Sequence, residues 1–104
     1  MDFCENDWRL FKRKIGIWQE TYIEHLNREY IDILNEPICA SEKFRKLEKR
    51  IKSDKKKTGV IVEMKRSNMI SALISLLNEK AITFEDLEEF SDETKSKIKF
   101  LMGD

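Results

Sequence analysis

Trp8, Phe11, Ile15, Trp18, Tyr22, Leu26, Tyr30 and Ile33 recur at steps of three and four residues, which places them on one face of a helix. No other feature of the chain constrains its fold as much. The stripe predicts a helix from about Trp8 to Asn35. At 1.5 Å per residue it would be ~42 Å long, against a radius of gyration of ~13 Å for about a hundred residues. Some other element must cover it along its length. Three glycines and one proline, Pro37, are the only such breaks in 104 residues, which favours long helices over a turn-rich β architecture. A chain of this size fits one domain and buries roughly 65% of its unfolded surface.

Asn35 to Ala40 reads as a helix–helix connection, because Pro37 disfavours helical geometry at Glu36. Ser41 is a suitable N-cap, with Glu42 in the first turn of a second helix from about Glu42 to Lys52. That helix has a narrow apolar seam, Phe44, Leu47 and Ile51, and is otherwise charged. A seam so thin suits one partner helix, so the second helix is expected to pack antiparallel on the first as an αα-hairpin. After the loop Ser53–Gly59, Val60 to Lys65 is expected to form a helical turn or short helix. Ser67 caps a further helix from Asn68 to about Glu79. Thr83 with Asp86 resembles a capping box opening Phe84 to Phe90, and Ser91 opens a last helix with Ile98, Leu101 and Met102 facing inward. The fold class expected is all-α with four or five helices. An αα-hairpin with a basic loop (8–57) and a compact cluster of short helices (58–104) form one domain.

Charge is unevenly spread over a chain with no net charge. Nine bases and two acids lie between Lys43 and Lys57, while Glu85 to Glu93 holds six acids and no base. Segregation of this kind implies surfaces of opposite sign, which bear on partners more than on fold. The acids fall where two consecutive helices start, and helix dipoles account for them there. The bases Lys43, Arg45, Lys46, Lys49, Arg50, Lys52, Lys55, Lys56 and Lys57 form a candidate surface for an anion or nucleic acid. Base reading lacks support, since a helix-turn-helix over Ser71–Phe90 would set an acidic helix against DNA. A second, thinner apolar line, Leu10, Ile17 and Ile31, runs far round the first helix with Glu24 in its gap. It is a candidate surface for self-association as a homodimer, against the ordinary scatter of surface apolar residues.

Little in the chain specifies a reaction. His25, the only histidine, stands one turn before Glu29 on the first helix. The pair reads either as metal ligands or an acid–base couple, or as a half-buried contact in which Glu29 reaches a base on the second helix. Zinc would need Cys4 and Cys39 as further ligands, and they lie far apart without a CxxC. The two thiols default to structural or incidental roles. The acidic run lacks the Gly-centred calcium loop. Isolated glycines offer no phosphate cradle, and one histidine without G-x-S-x-G offers no hydrolase triad. No catalytic residue, metal site or cofactor is therefore assigned. The acidic first residues are unlike a signal peptide, and the apolar run Met69–Leu77 is about half a membrane span. A cytoplasmic location without membrane association is expected.

Leu76 to Leu87, LLNEKAITFEDL, resembles the short C-terminal SHOCT-type module, in which a leucine-rich turn leads to I-T-x-E-E-F. Lys80 stands where that module has Gly, and Leu87 replaces its Phe. The resemblance implies an interaction or oligomerisation element without catalysis. The whole chain, notably EKFRKLEKRI from Glu42 and RSNM from Arg66, is similar to short helical proteins of low-GC Gram-positive bacteria. Some of those carry a multidrug-transporter label, which the missing membrane span makes untenable here. Fourteen Lys and twelve Ile against three Ala agree with an AT-rich bacterial origin. The function expected is a non-enzymatic cytosolic interaction or regulatory protein that self-associates. The alternative is a nucleic-acid-binding accessory protein using the basic segment 43–57.

Overall fold

A computed structural model describes residues 5–103, and these form an all-helical fold. Helix α1 spans Glu5–Leu34, α2 Ala40–Asp54, α3 Met69–Asn78 and α4 Asp92–Leu101. Short 3₁₀ turns at Arg66–Asn68 and Phe84–Leu87 precede α3 and α4. Cys4 lies outside the described residues.

The aromatic stripe forms as its spacing dictates. Phe11, Ile15, Trp18, Tyr22, Leu26 and Ile33 are buried, with Trp8 and Tyr30 half-buried. Two different structures cover its two halves. Around Leu10, Phe11, Ile15 and Trp18 the α3 residues Met69, Leu73 and Leu76 join Ile82, Leu87, Phe90 and Ile98 in one apolar core. A run of rings from Trp8 through Phe11 and Trp18 to Phe90, with centroids 5.9–6.5 Å apart, carries that core across to the C-terminal segment. The far half of α1 is covered by α2 and the turn at residues 57–61. The two ends therefore differ in build: a packed head, and an arm made of one helix pair. The radius of gyration is 16.4 Å and the extents are 53 × 26 × 19 Å, more elongated than the ~13 Å radius of a compact domain this long.

Several local expectations are corrected. Leu10 lies inside the core, because the C-terminal segment wraps the first turns of α1 from a second side. Cys39, and not Ser41, occupies the N-cap of α2, and its thiol donates a weak bond to Glu42 Oε1 at 3.4 Å. Val60–Lys65 contains no helical turn of its own. Ile61 and Met64 face solvent, only Val62 packs on the core, and no second apolar position a turn away would hold a helix there. Ser67 sits within the 3₁₀ turn before α3 and does not cap it. Leu101 is exposed, and buried Thr94 takes the inward position a turn before Ile98. Ser91 does cap α4, accepting the Thr94 N–H at 3.2 Å. The Asp86 carboxylate accepts the Thr83 N–H at 2.7 Å.

Helix α3 ends in a Schellman motif. The Ala81 N–H reaches Leu76 O at 2.9 Å, and the Lys80 N–H reaches Leu77 O at 3.1 Å. The motif puts Lys80 at φ 63°, where a Cβ is crowded and glycine is not. Lys80→Gly is expected to raise stability by about 1 kcal/mol, read as a higher urea midpoint at unchanged slope. An unchanged or lower midpoint would show that the left-handed residue carries no strain.

The turn after α2 is held from three sides. Glu79 accepts the Thr58 and Gly59 N–H groups at 3.0 and 2.9 Å, and Gln19 Nε2 donates to Thr58 O at 3.0 Å. Gly59 lies directly against the Tyr22 ring, where any Cβ would overlap ring carbons. Lys55 and Lys56 are thus exposed on a fixed turn.

A candidate docking face on the second helix

Helix α2 packs on α1 by an unexpected face. Its buried and half-buried residues are Lys43, Leu47, Arg50 and Asp54, at steps of four, three and four. This line is turned roughly 60° round the helix from the centre of the Phe44–Leu47–Ile51 seam, at about 100° per residue. Leu47 belongs to both. Phe44 is left 70% exposed and Ile51 42% exposed. No residue of α2 enters the apolar core. The expected antiparallel hairpin is present, but of the seam thought to join it only Leu47 and part of Ile51 meet α1, and Phe44 faces solvent.

Polar bonds set this rotation. Asp54 is buried and accepts the Tyr30 hydroxyl at 2.7 Å and Arg50 Nε at 3.3 Å, with Lys57 Nζ 3.3 Å from its other oxygen. Arg50 extends to Glu29 at 2.6 Å and lies over the Tyr30 ring, 5.7 Å from its centroid. Glu29 thus reaches a base on the second helix as one of the two sequence readings has it, in a pair more exposed than the half-buried one expected. At the hairpin's other end Lys46 reaches both oxygens of Glu36 at 2.7 Å. Leaving Asp54 unpaired beneath α1 would cost several kcal/mol, more than the partial exposure of two apolar side chains. The polar cluster therefore wins, and the seam turns partly out.

Burial alone would raise the Asp54 carboxyl. The hydrogen bonds from Tyr30 and Lys57, with the charges of Arg50 and Lys57, outweigh it and hold the group below its usual value. Tyr30 is pushed up to about 12 by burial and by its bond to Asp54. These shifts set a pH dependence of known sign. The folded Tyr30 holds its proton more tightly than the unfolded one at 10.0, so its contribution is complete below pH 10 and is lost as pH rises towards 12. The contribution of Asp54 is complete above its unfolded value of 3.8 and is lost as pH falls through the lower folded one. Thermal melts are expected to show an alkaline fall in midpoint that is smaller in Tyr30→Phe. Parallel curves for the two proteins above pH 10 would refute the role given to the phenol.

The nine bases of the segment divide. Lys46, Arg50 and Lys57 are engaged by Glu36, Glu29 and Asp54. Lys43, Arg45, Lys49, Lys52, Lys55 and Lys56 have no acid within 4 Å among the described residues, and all but Lys43 are exposed. Arg45, Lys49 and Lys52 follow steps of four and three, so they run as a basic stripe roughly 130° round the helix from the seam, and Lys55 is the unpaired base that stands in line with the seam. Between Phe44, Leu47, Glu48, Ile51, Lys52 and Lys55 lies an open groove of about 480 Å³.

The other candidate residues do not form sites. With Leu10 buried, the line proposed for self-association reduces to Ile17 and Ile31, 68% and 56% exposed. They stand ~21 Å apart along α1, with exposed Glu24 between them. His25 is exposed, and among the described residues no group of three or more His, Cys, Asp or Glu is arranged to hold a metal ion. In the acidic run Glu89 pairs with Lys14 at 2.8 Å, and Asp92 and Glu93 open α4. Sequence reasoning missed Asp54. An acid four residues after Arg50, inside a run of bases, was the available signal.

No protein-family model matches this chain, and searches of curated proteins and of solved structures return no match. Among the described residues no helix is long and apolar enough to cross a membrane.

Proposed function

We propose that this chain is a non-enzymatic cytosolic interaction protein that engages its partner through the outward face of α2. One observation carries the reading. A helix that packs on its neighbour leaves Phe44 and the outer side of Ile51 in water, near bases that have no acid partner among the described residues. Aromatic residues held in that way on a fixed element are the usual anchors of protein contacts. The head needs no partner to complete its core, and its role is to hold α1 as the support for α2. Contact between two copies along Leu10, Ile17 and Ile31 is not part of the proposal, since Leu10 is buried.

Affinity capture from the native host, comparing wild type with Phe44→Asp/Ile51→Asp, tests this reading. Proteins retained by the wild type and lost from the folded double variant are expected. Identical captures would refute it.

A second reading, nucleic-acid binding by the segment 43–57, draws on the six bases without acid partners. It predicts retardation of DNA or RNA at ~50 mM salt that fades steeply as salt rises. Absence of retardation at low salt would end it.

A further inference from the structure

We propose that the face of α2 receives one acidic amphipathic helix of a partner protein, seated along Phe44, Leu47 and Ile51 with its acids against Lys52 and Lys55. The proposal rests on the reading of α2 as an interaction face and names what that face takes.

The width of the seam is the first argument. Phe44, Leu47 and Ile51 at steps of three and four span only about 60° of the helix, the a–d–a spacing that meets a single facing helix. A helix lying in a lipid interface needs an apolar face of about 100° or more, and here Glu48 closes one edge of the seam. The groove between Phe44, Leu47, Glu48, Ile51, Lys52 and Lys55 has room for a knob from a partner helix, and its two lysines outnumber its one acid.

Charge is the second argument. From Ala40 to Lys57 there are nine bases and three acids, Glu42, Glu48 and Asp54, and Asp54 is closed off inside the hairpin. A facing helix with acids beside its own apolar ridge is attracted along its length, and one with bases is repelled.

Neither α2 nor the C-terminal segment of a second copy meets both requirements. The copy's α2 would set bases against bases. Its acidic stretch, residues 85–93, has both intervening apolar residues, Leu87 and Phe90, buried in its own core, so it offers no ridge. Its exposed Phe100 directly follows Lys97 and Lys99. Nucleic acid would satisfy the bases and leave Phe44 and Ile51 in water.

The test uses the full chain, isotope-labelled for NMR, and two synthetic peptides of about three heptads with Leu at a and d. One carries Glu at e and g, the other Lys. The Glu peptide is expected to shift the resonances of Phe44, Leu47, Ile51, Lys52 and Lys55, and the Lys peptide is not. Phe44→Ser/Ile51→Ser should weaken the Glu peptide about tenfold or more while leaving the head's resonances in place. Lys52→Glu/Lys55→Glu should reverse the preference between the peptides. Equal binding of both peptides, shifts confined to other surfaces, or no shift of α2 would overturn the proposal. So would α2 shifts produced only by vesicles with ~30 mol% phosphatidylserine or by a ~20-base-pair duplex. In that last case α2 stands as an interaction face and the acidic helix alone is wrong. A Phe44→Asp/Ile51→Asp variant with unchanged captures removes the face itself.

Discussion

Asp7→Ala is expected to lower stability by about 3 kcal/mol and the thermal midpoint by roughly 15 °C. The carboxylate is buried and accepts three bonds from the far end of the chain: the Ser91 N–H at 3.0 Å, the Ser91 hydroxyl at 2.6 Å and the Thr94 hydroxyl at 2.6 Å. Bonds to a charged acceptor contribute about 1.5–3 kcal/mol each before desolvation is subtracted, and a negative charge at the start of α4 adds up to about 1 kcal/mol. Alanine removes the acceptor and leaves the fully buried Thr94 hydroxyl without its partner. Urea unfolding of Asp7→Ala, Thr94→Val and the double variant separates these contributions. The double variant should be less destabilised than the sum of the singles, because both ends of the same bond are gone. A loss under about 1 kcal/mol for Asp7→Ala would show that the staple adds little beyond its desolvation cost.

Asp54→Ala is expected to act differently, on the arm alone. Removing this acceptor leaves Arg50 and Lys57 without their common counter-charge and the Tyr30 hydroxyl without its acceptor. The loss should be about 2–3 kcal/mol, felt as local opening of α2. Amide exchange in α2 should quicken roughly 30- to 100-fold, while α3 amides around Leu73 and Leu76 keep their protection. The asymmetry follows from the absence of any α2 residue in the apolar core. Equal acceleration in both helices would mean that arm and head open as one unit.

The parts of the fold legible in the sequence are those where one local rule acts alone. The stripe from Trp8 to Ile33 has no competing period, and Ser91 before Asp92 and Glu93 is a helix start on any reading. The rotation of α2 was hidden because two patterns overlap on it. Hydrophobic spacing picks out Phe44, Leu47 and Ile51, while the face that packs carries Lys43, Arg50 and Asp54. Periodicity weighs only apolar residues, so it points to the seam the structure turns partly outward. Leu10 was misplaced for a related reason: its line is exposed on an isolated helix, and only a segment some eighty residues later covers it. Asp7 belongs to the same class, since its partners Ser91 and Thr94 lie 84 and 87 positions away. For the docking face, the basic run was visible as composition. Which of its bases are engaged depended on where Glu29, Glu36 and Asp54 fell in space.

The bonds from Asp7 to Ser91 and Thr94 also bear on how the chain is made. The first turns of α1 leave the ribosome before the residues that cap them, which lie 84 and 87 positions later. At about 5–20 residues per second the 87 positions between Asp7 and Thr94 take on the order of 4–17 s to synthesise. For most of that interval Phe11, Ile15 and Trp18 lack the residues that cover them, since α3 is made roughly twenty positions before Thr94 and Leu87, Phe90 and Ile98 later still. The head can close only after α4 has emerged.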